Sequence, residues 1–352
     1  MAGEQGAQVV VSPPPAREDQ TNRRRSGLGL LTGSSELGLI VAIVAVLALI
    51  YLLDPQRSFF DERSLRTLIH QAARFGVLAL GAAVVIIAGG IDLSVGSVVA
   101  LASVVSAMLT TEWLPALGAG SATANPWVVP AAILLTLALG VLIGLAHAEM
   151  INRLRLPPFI ATLATMAGLR SLAMILSNNR PKTVNVEAFR ALGYDPRWTI
   201  SIFVACALLA HLFMSRTVLG RHIYALGGNE AAARLSGLDP RRLKRIVYGL
   251  AGFLSALGGI LFTGQSGQGQ ATMGVSYELF AITAAVVGGC SLAGGVGSIR
   301  GTVLGLILIQ CVIKGTGQVI RGIDSTQIEG LVLGLVVVLA VAFNQGVRGR
   351  RE

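Results

Sequence analysis

The chain has very little charge for its length. Only 13% of its 352 residues are Asp, Glu, Lys or Arg, while 53% are hydrophobic, and a soluble domain is usually about a quarter charged. Long stretches contain no charged residue at all; they are residues 75–91, 93–111, 113–148, 246–277, 279–299 and 330–347. Because a membrane-spanning helix needs roughly 20 mostly apolar residues, this absence predicts an integral membrane protein with several spans.

Aromatic residues and cysteines are also scarce. Aromatic residues make up 5% of the chain, against 43 glycines, a composition that suits helices packing closely in lipid. The three cysteines, Cys206, Cys290 and Cys311, all fall in apolar segments without metal-ligand spacing. We interpret them as small buried hydrophobes. The four histidines form no HExxH and no paired spacing with carboxylates, so we expect no metal site.

Signatures of catalysis are missing as well. The sequence contains no GxSxG, and none of Lys182, Lys244 and Lys314 completes a phosphate-binding GxxxxGK[ST]. We therefore expect no enzyme activity and no ATP hydrolysis by this chain. The formal net charge of +10 comes from basic residues in short segments between apolar runs. This is the pattern of loops that orient a membrane protein, and we expect no nucleic-acid binding.

Hydropathy predicts an all-α integral membrane protein with about ten transmembrane helices. The predicted spans are 36–53, 67–88, 93–110, 127–149, 158–177, 198–214, 246–264, 277–293, 298–316 and 327–344. Residues 1–34 are rich in Pro, Gly, Ser and Arg and too polar for a cleavable signal, so we predict a disordered cytosolic tail. Residues 35–345 form the transmembrane domain, and 346–352 form a second cytosolic tail.

Basic residues set the predicted orientation. They concentrate in the N-terminal tail, in 150–157, in 215–245 and at the C-terminus. With ten spans all four lie on one side, which places both termini in the cytoplasm. Loops 54–66 and 178–197 also hold several basic residues and are exceptions to the rule.

Glycines predict broken helices. Two Gly-rich segments, 89–97 and 288–298, each follow an Ala/Val-rich run and precede another apolar run. Their likeness hints at an internal repeat, which transporters often contain. Glycines four residues apart also predict helix-packing faces; these pairs are Gly140/Gly144, Gly301/Gly305 and Gly330/Gly334.

Two charged residues fall within apolar surroundings. Asp92 is the only acid between Glu62 and Glu112. It either caps the helix after the first break together with Ser94, or lines a path for a polar solute, and the two roles are compatible. Arg170 lies about two-thirds along the fifth span. Its side chain either reaches the outer interface or donates hydrogen bonds to a polyol.

The segment 215–245 is the longest polar connection inside the membrane domain. Asn229 predicts the cap of a short helix that begins at Glu230, and Gly237 predicts its end. A connection of this length with a helix of its own favours docking of a partner.

Three motifs of the sequence resemble the ribose/xylose/arabinose-type permeases of bacterial ATP-binding-cassette importers. They are the GGIDLSVGS run at 89–97, PPFIATLATM at 157–166 and GNEAAARLSG at 228–237, joined by the Gly-rich stretch 288–305. The resemblance covers about residues 37–345. It implies a multi-pass permease of the inner membrane that works as a dimer, most simply a homodimer, surrounded by membrane lipid. It also implies a cytosolic ATPase subunit that holds ATP and Mg²⁺, and a periplasmic sugar-binding protein.

The resemblance also implies roles for particular residues. The candidates for the translocation path are Asp92, Ser94, Gly96, Ser97, Phe159, Thr162 and Arg170. The candidates for coupling to the ATPase are Asn229, Glu230, Ala231, Ala232, Arg234, Ser236 and Gly237. No cofactor is expected in this chain.

Other functions remain open at this stage. The cargo could be a branched-chain amino acid or a nucleoside in place of a monosaccharide. A secondary transporter also uses broken helices and repeats, although proton coupling usually shows several carboxylates within the membrane. A membrane-embedded enzyme is a further alternative, for which the sequence supplies no nucleophile–base pair.

Overall fold

The computed structural model describes residues 35–320 and, beyond them, residues 330, 331, 333–335 and 338. Its helices are α1 (Ser35–Leu53), α2 (Glu62–Ile87), α3 (Val95–Met108), α4 (Val128–Arg153), α5 (Pro158–Ser177), α6 (Glu187–Tyr194), α7 (Pro196–Arg216), α8 (Val218–Gly228), α9 (Glu230–Leu235), α10 (Pro240–Ser266), α11 (Tyr277–Val287) and α12 (Ile299–Val319). Two π-helical turns, Leu109–Trp113 and Pro115–Ala119, extend α3, and a 3₁₀ turn covers Ser58–Phe60. The predicted tails 1–34 and 346–352 and most of the predicted span 327–344 lie outside the described residues.

Eight helices of the described part are long and apolar enough to cross a membrane, which confirms the all-α membrane class. They are α1, α2, α3 with its extension, α4, α5, α7, α10 and α12. The predicted span 277–293 is wrong in length, because α11 has only 11 residues. The Gly-rich run has the hydropathy of a helix, but Gly289 adopts φ 93°, a left-handed conformation that ends a helix.

Helix α10 forms the centre of the fold. It packs against α2, α3, α4 and α6, and α11 packs against α2. Most of the apolar window of α2, α3 and α10 is buried, whereas α1, α5 and α7 leave most of theirs exposed. The exposed windows are strongly apolar, so these three helices present an apolar surface on the outside of the bundle.

Two of the predicted glycine pairs are packing faces. A Cβ atom at Gly140 would lie within 2.4 Å of Ala256 Cβ, and Gly144 lies against the backbone of Tyr248, so α4 and α10 approach at backbone distance. The end of α11 approaches the backbone of α12 in the same way at Gly301 and Gly305. No described atom lies within 4 Å of a Cβ position at Gly330 or Gly334.

The loops gather at two opposite ends of the bundle. At one end the strands β1 (Lys182–Thr183) and β2 (Gln268–Gly269) pair antiparallel and join loop 178–197 to the chain after α10. At the other end Asn152 Nδ2 donates to Arg241 O at 3.1 Å, and Glu149 bonds Arg245. The predicted cytosolic segments 150–157 and 215–245 therefore share one end, which we call the coupling end; the other is called the outer end.

A compact turn joins α1 to α2 at the outer end. The carboxylate of Asp54 accepts hydrogen bonds from Phe59 N at 3.1 Å, Ser58 Oγ at 2.9 Å and Gln56 N at 3.2 Å. Ser58 Oγ also lies 2.9 Å from Gln318 Oε1 at the end of α12, so its single proton bonds one or the other acceptor. The turn thus holds α1 against α12 beside the buried Phe59.

Candidate functional site

The first break follows α2 as a glycine-capped helix end. Gly89 N donates to Ile86 O and Gly90 N to Val85 O, both at 2.9 Å, and Gly89 has φ 81°. This pair of bonds satisfies carbonyls that the end of a helix leaves free. The chain then passes through Asp92 before α3 begins.

Asp92 stabilises the segment between the glycine turn and α3. Its Oδ1 accepts from Ser94 N at 2.8 Å and from Ser94 Oγ at 2.6 Å, and the residue is 5% exposed. Ser94 stands at the N-cap position of α3 but makes no side-chain bond to the helix amides. Asp92 and Ser94 were predicted to cap α3 with their side chains. This prediction was wrong, because the Asp92 carboxylate bonds Ser94 and not the first amides of α3. Ser97 Oγ adds a bond to Ser94 O at 2.8 Å.

Helix α5 fastens this turn from the side. Thr162 Oγ1 accepts from Leu93 N at 3.2 Å and donates to carbonyls of Pro158 at 3.0 Å or Ile91 at 3.3 Å. Thr162 is fully buried. Phe159, one turn earlier, has its carbonyl oxygen 3.4 Å from Thr162 Oγ1, while its side chain is 46% exposed.

A non-helical segment runs along α3 from the outer end towards the first break. Gln270 N donates to Ser103 Oγ at 2.9 Å, and Gly274 meets the backbone of Gly96 further along α3. Helix α11 starts after this segment, where the Tyr277 ring lies 4.7 Å from that of Phe75, about midway along α2. Irregular backbone at this depth is tolerated where it is buried in protein or lines a cavity.

Arg170 holds the non-helical segment. Its Nη1 donates to Ala271 O at 3.2 Å and its Nη2 to Gly274 O at 3.5 Å. The guanidinium therefore bonds the carbonyl of Ala271 and adds a second bond to Gly274 O, which also accepts from Tyr277 N at 3.3 Å. The sequence suggested either an interfacial position or a polyol contact for Arg170, and these backbone bonds are a third role.

Sequence reasoning missed a second acid beside this segment. A Cβ atom at Gly96 would collide with Gly274 O and with the carboxylate of Glu278, near the start of α11. Glu278 is the only acid between Asp239 and Asp324, the same isolation that singled out Asp92. That signal could have found it. The two carboxylates thus flank the start of α3.

Two further polar groups lie near the first break. His147 Nε2 and Thr165 Oγ1 form a hydrogen bond of 2.7 Å between α4 and α5. The Tyr248 hydroxyl, on α10, lies 2.5 Å from where a Cβ of Gly90 would stand. Both residues are almost fully buried, so the first break is surrounded by polar side chains from three helices.

The second break repeats the backbone turn of the first. Gly289 N donates to Val286 O and Cys290 N to Ala285 O, both at 2.9 Å. The chain continues through Gly294 and Gly295, both with positive φ. Gly295 N then donates to Ile87 O at 2.9 Å, so the two breaks contact each other.

The predicted helix in 215–245 is confirmed as α9. Asn229 Oδ1 accepts from Ala232 N at 2.9 Å and caps the helix, while Gly237 follows its end with φ 84°. Ala233 faces inward, whereas the coupling candidates Ala231, Ala232, Ser236 and Gly237 leave a surface of small residues exposed. Leu235 is 90% exposed, a large apolar side chain on an otherwise small surface.

Glu230 ties α9 to the membrane domain. Its carboxylate bonds Lys244 Nζ of α10 at 2.9 Å and Arg234 of its own helix at 3.5 Å. Lys244 is one-fifth exposed, so this pair is partly shielded from solvent screening. The helix is therefore fixed to α10 at its first residue, while its far end stays free of side-chain bonds to α10 among the described residues.

Comparison with known proteins gives consistent matches. The family described as "Branched-chain amino acid transport system / permease component" matches residues 64–341. The ribose import permease protein of Haemophilus influenzae is 36% identical over 280 residues, which cover 76% of this chain and 81% of the relative. Its Escherichia coli counterpart is 37% identical over 314 residues, with coverage of 86% and 91%. The galactose/methyl galactoside import permease protein of Escherichia coli is 33% identical over 330 residues, with coverage of 89% and 95%. No solved structure matches.

Proposed function

The chain belongs to the family described as branched-chain amino acid transport system / permease component. From this membership and from its sugar-permease relatives we propose that it imports a monosaccharide as the membrane subunit of an ATP-driven importer. Permeases of this family sit in the bacterial inner membrane and are transport proteins, and a separate subunit hydrolyses ATP. The proposal adds the cargo, the partners and the residues that serve them.

The proposal of a monosaccharide as the cargo rests on the names of the relatives. The ribose permeases and the galactose permease are 33–37% identical to this chain over three quarters or more of its length. A neutral sugar needs hydrogen-bonding groups and no fixed counter-ion. The region around the first break offers hydroxyls and backbone groups, and the carboxylates of Asp92 and Glu278 can accept hydrogen bonds from the hydroxyls of a sugar.

The proposed translocation path follows the start of α3. Its residues include Asp92, Ser94, Gly96, Ser97 and Thr162, and its far wall is the non-helical segment held by Arg170. Discontinuous helices that end midway across the membrane commonly border transport sites, and α11 begins midway along α2.

The proposed contact with the ATPase is α9. A short helix with small exposed residues fits a groove on a partner, and an exposed apolar residue such as Leu235 supplies an anchor. Its residues Asn229, Glu230, Ala231, Ala232, Arg234, Ser236 and Gly237 form or shape this surface. A second copy of the chain would complete the importer as a homodimer.

The proposed contact with the sugar-binding protein is at the outer end. A cavity of about 780 Å³ there is lined by charged side chains of both signs; they are Arg66, Glu187, Arg190, Asp195 and Arg197. Charged surfaces of this kind give specificity and fast association to a transient partner.

The proposed mechanism is an exchange between two global states. ATP binding by the partner subunits moves α9, and this movement opens the path to the outer end, where the binding protein releases its sugar. Coupling of this kind requires that ATP and cargo stabilise the two states differently.

Uptake into proteoliposomes tests the proposal. The wild-type chain is reconstituted alone, and then with its ATPase and binding protein, with radiolabelled ribose, galactose, leucine or uridine. We expect sugar uptake that needs ATP and both partners. We also expect Gly237→Trp to abolish it, because a bulky side chain at a left-handed position disturbs α9. Gly168→Trp should preserve it, because a Cβ atom at this position of α5 meets nothing within 4 Å. Uptake by the chain alone on an ion gradient would overturn the proposal, and uptake of leucine or uridine in place of sugar would change the cargo.

A further inference from the structure

Three separate segments meet by backbone contact at the coupling end. They are the first break, the last turn of α8 and the second break. The contact is made by four glycines at which a Cβ atom would meet the backbone of another segment, and we call them the glycine junction; they are Gly89, Gly227, Gly294 and Gly295. Side chains are absent at the point of contact, so the three backbones approach more closely than other residues would allow.

Gly227 occupies the middle of the junction. A Cβ atom there would collide with Ile87 O and lie 2.7 Å from Gly295 N. These are the two atoms whose hydrogen bond of 2.9 Å joins the two breaks. A methyl group at residue 227 would therefore push against both partners of that bond.

The second break encloses α8 from the other side. A Cβ atom at Gly294 would lie 2.5 Å from Gly227 O and 2.8 Å from Gly89 Cα. A Cβ atom at Gly295 would lie 2.7 Å from Gly228 Cα. The end of α8 thus lies between the two breaks, and no side chain separates their backbones at these contacts.

A side-chain hydrogen bond one turn earlier also holds α8 against the second break. The Tyr224 hydroxyl donates to Gly297 O at 2.9 Å. Helix α9 begins at Glu230, directly after Gly228 and the capping Asn229. Only two residues therefore separate the proposed ATPase contact from Gly227.

The breaks in turn lead to the proposed path. The first break continues into Asp92 and α3, and the second break is the end of α11, whose other end carries Glu278 beside Gly96. A displacement of α9 therefore reaches both sides of the path through one point of contact.

We propose that the glycine junction transmits the movement of α9 to the two helix breaks, with Gly227 as its positioning residue. The inference rests on the proposed function, since it assigns to the junction the step between ATP hydrolysis and sugar import. Its signature is a loss of coupling: ATP is hydrolysed, but sugar is not carried.

Neighbouring glycines supply a matched pair of variants. Gly227→Ala and Gly228→Ala both add one methyl group in the last turn of α8, and neither residue has a positive φ. At Gly228 a Cβ atom has nothing within 4 Å. Any effect of helix propensity is common to both variants, whereas the clash belongs to Gly227→Ala alone.

The test measures radiolabelled ribose uptake and ATP hydrolysis in the same proteoliposomes, which contain the full assembly of permease, ATPase and binding protein. For Gly227→Ala we expect the amount of ribose imported per ATP hydrolysed to fall at least about tenfold, with hydrolysis retained within about twofold. Gly228→Ala should match the wild type in both. An unchanged ratio for Gly227→Ala, or an equal fall for Gly228→Ala, would overturn the inference.

Tyr224→Phe tests the same junction without adding an atom. It removes the bond to Gly297 O, and we expect the ratio of ribose to ATP to fall about two- to fivefold. If Gly227→Ala fails to assemble, this variant decides, and an unchanged ratio overturns the inference. The wild-type assembly separates the two proposals: absence of ATP-driven uptake there refutes the importer, whereas a change of ratio among variants concerns the junction only.

Discussion

The two helix breaks share a backbone turn but differ in their side chains. The turn bonds of the second break repeat those of the first at equivalent positions such as Gly89 and Gly289. The first break then carries the buried Asp92, and the second carries Leu292, 39% exposed, at the equivalent place. Since the second turn forms without a carboxylate, glycine is sufficient for the turn itself. The acid of the first break therefore serves the segment that follows, where the proposed path begins.

The largest effect on stability is expected from a substitution at the residue just before the turn. The first break has Ala88 there and the second has Gly288, whose Cβ atom would lie 2.5 Å from Gly301 O and 2.6 Å from Thr302 Cα. We expect Gly288→Ala to destabilise the protein by about 3 kcal/mol through overpacking. A thiol-reactive dye checks this during heating, because the buried Cys290 and Cys311 react on unfolding.

The control for this variant is Gly168→Ala, on α5, where a Cβ atom has nothing within 4 Å. It should leave the unfolding temperature unchanged or raise it slightly, since alanine favours a helix over glycine by about 1 kcal/mol. Equal unfolding temperatures for Gly288→Ala and the wild type would show that α11 and α12 do not depend on close contact at Gly288.

An intermediate effect is expected when the first break is given the side chain of the second. Asp92→Leu removes the acceptor of Ser94 N and Oγ, and leaving buried donors unpaired costs about 2 kcal/mol. The same dye measurement should show a lower unfolding temperature. Leu292→Asp is the reciprocal control, with little effect because the site is partly exposed. Equal changes in unfolding temperature for Asp92→Leu and Leu292→Asp would show that the carboxylate of the first break does not stabilise the protein as described.

The smallest effect is expected from the threonines beside the breaks. Thr162→Val removes the acceptor of Leu93 N, which costs about 1 kcal/mol. The hydroxyl of Thr302, beside the second break, bonds mainly to Ser298 O of its own helix start. Thr302→Val should therefore change the unfolding temperature less than Thr162→Val. A larger change for Thr302→Val than for Thr162→Val would show that a side-chain hydrogen bond stabilises the second break more than the first.

Hydropathy and capping residues predicted much of the fold. Spans such as 158–177 agree with the observed Pro158–Ser177, because an apolar run between polar loops has few alternatives in a membrane. Helix α9 begins after Asn229 and ends before Gly237 as predicted, since both residues act through local bonds. The roles of these residues in coupling remain proposals.

The non-helical contacts could not be predicted in the same way. Residues 267–276 lie within the uncharged run 246–277 that also holds most of α10, so hydropathy does not distinguish them. The bonds of Arg170 to Ala271 and Gly274 join residues about 100 positions apart. The contact of Gly227 with both breaks is made of backbone atoms, which leave no trace in side-chain patterns beyond glycine itself.

The turn at Asp54 bears on how the protein meets its surroundings. The hydrogen bond from Phe59 N, with those from Ser58 and Gln56, holds the pKa of the Asp54 carboxyl below its ordinary value. A carboxyl with a lowered pKa contributes stability that is fully present above its unfolded pKa and is lost as the pH falls through its folded pKa. The fastening of α1 to α12 therefore persists through mild acidification. A single buried carboxylate thus gives the contact between these two helices its tolerance of acid.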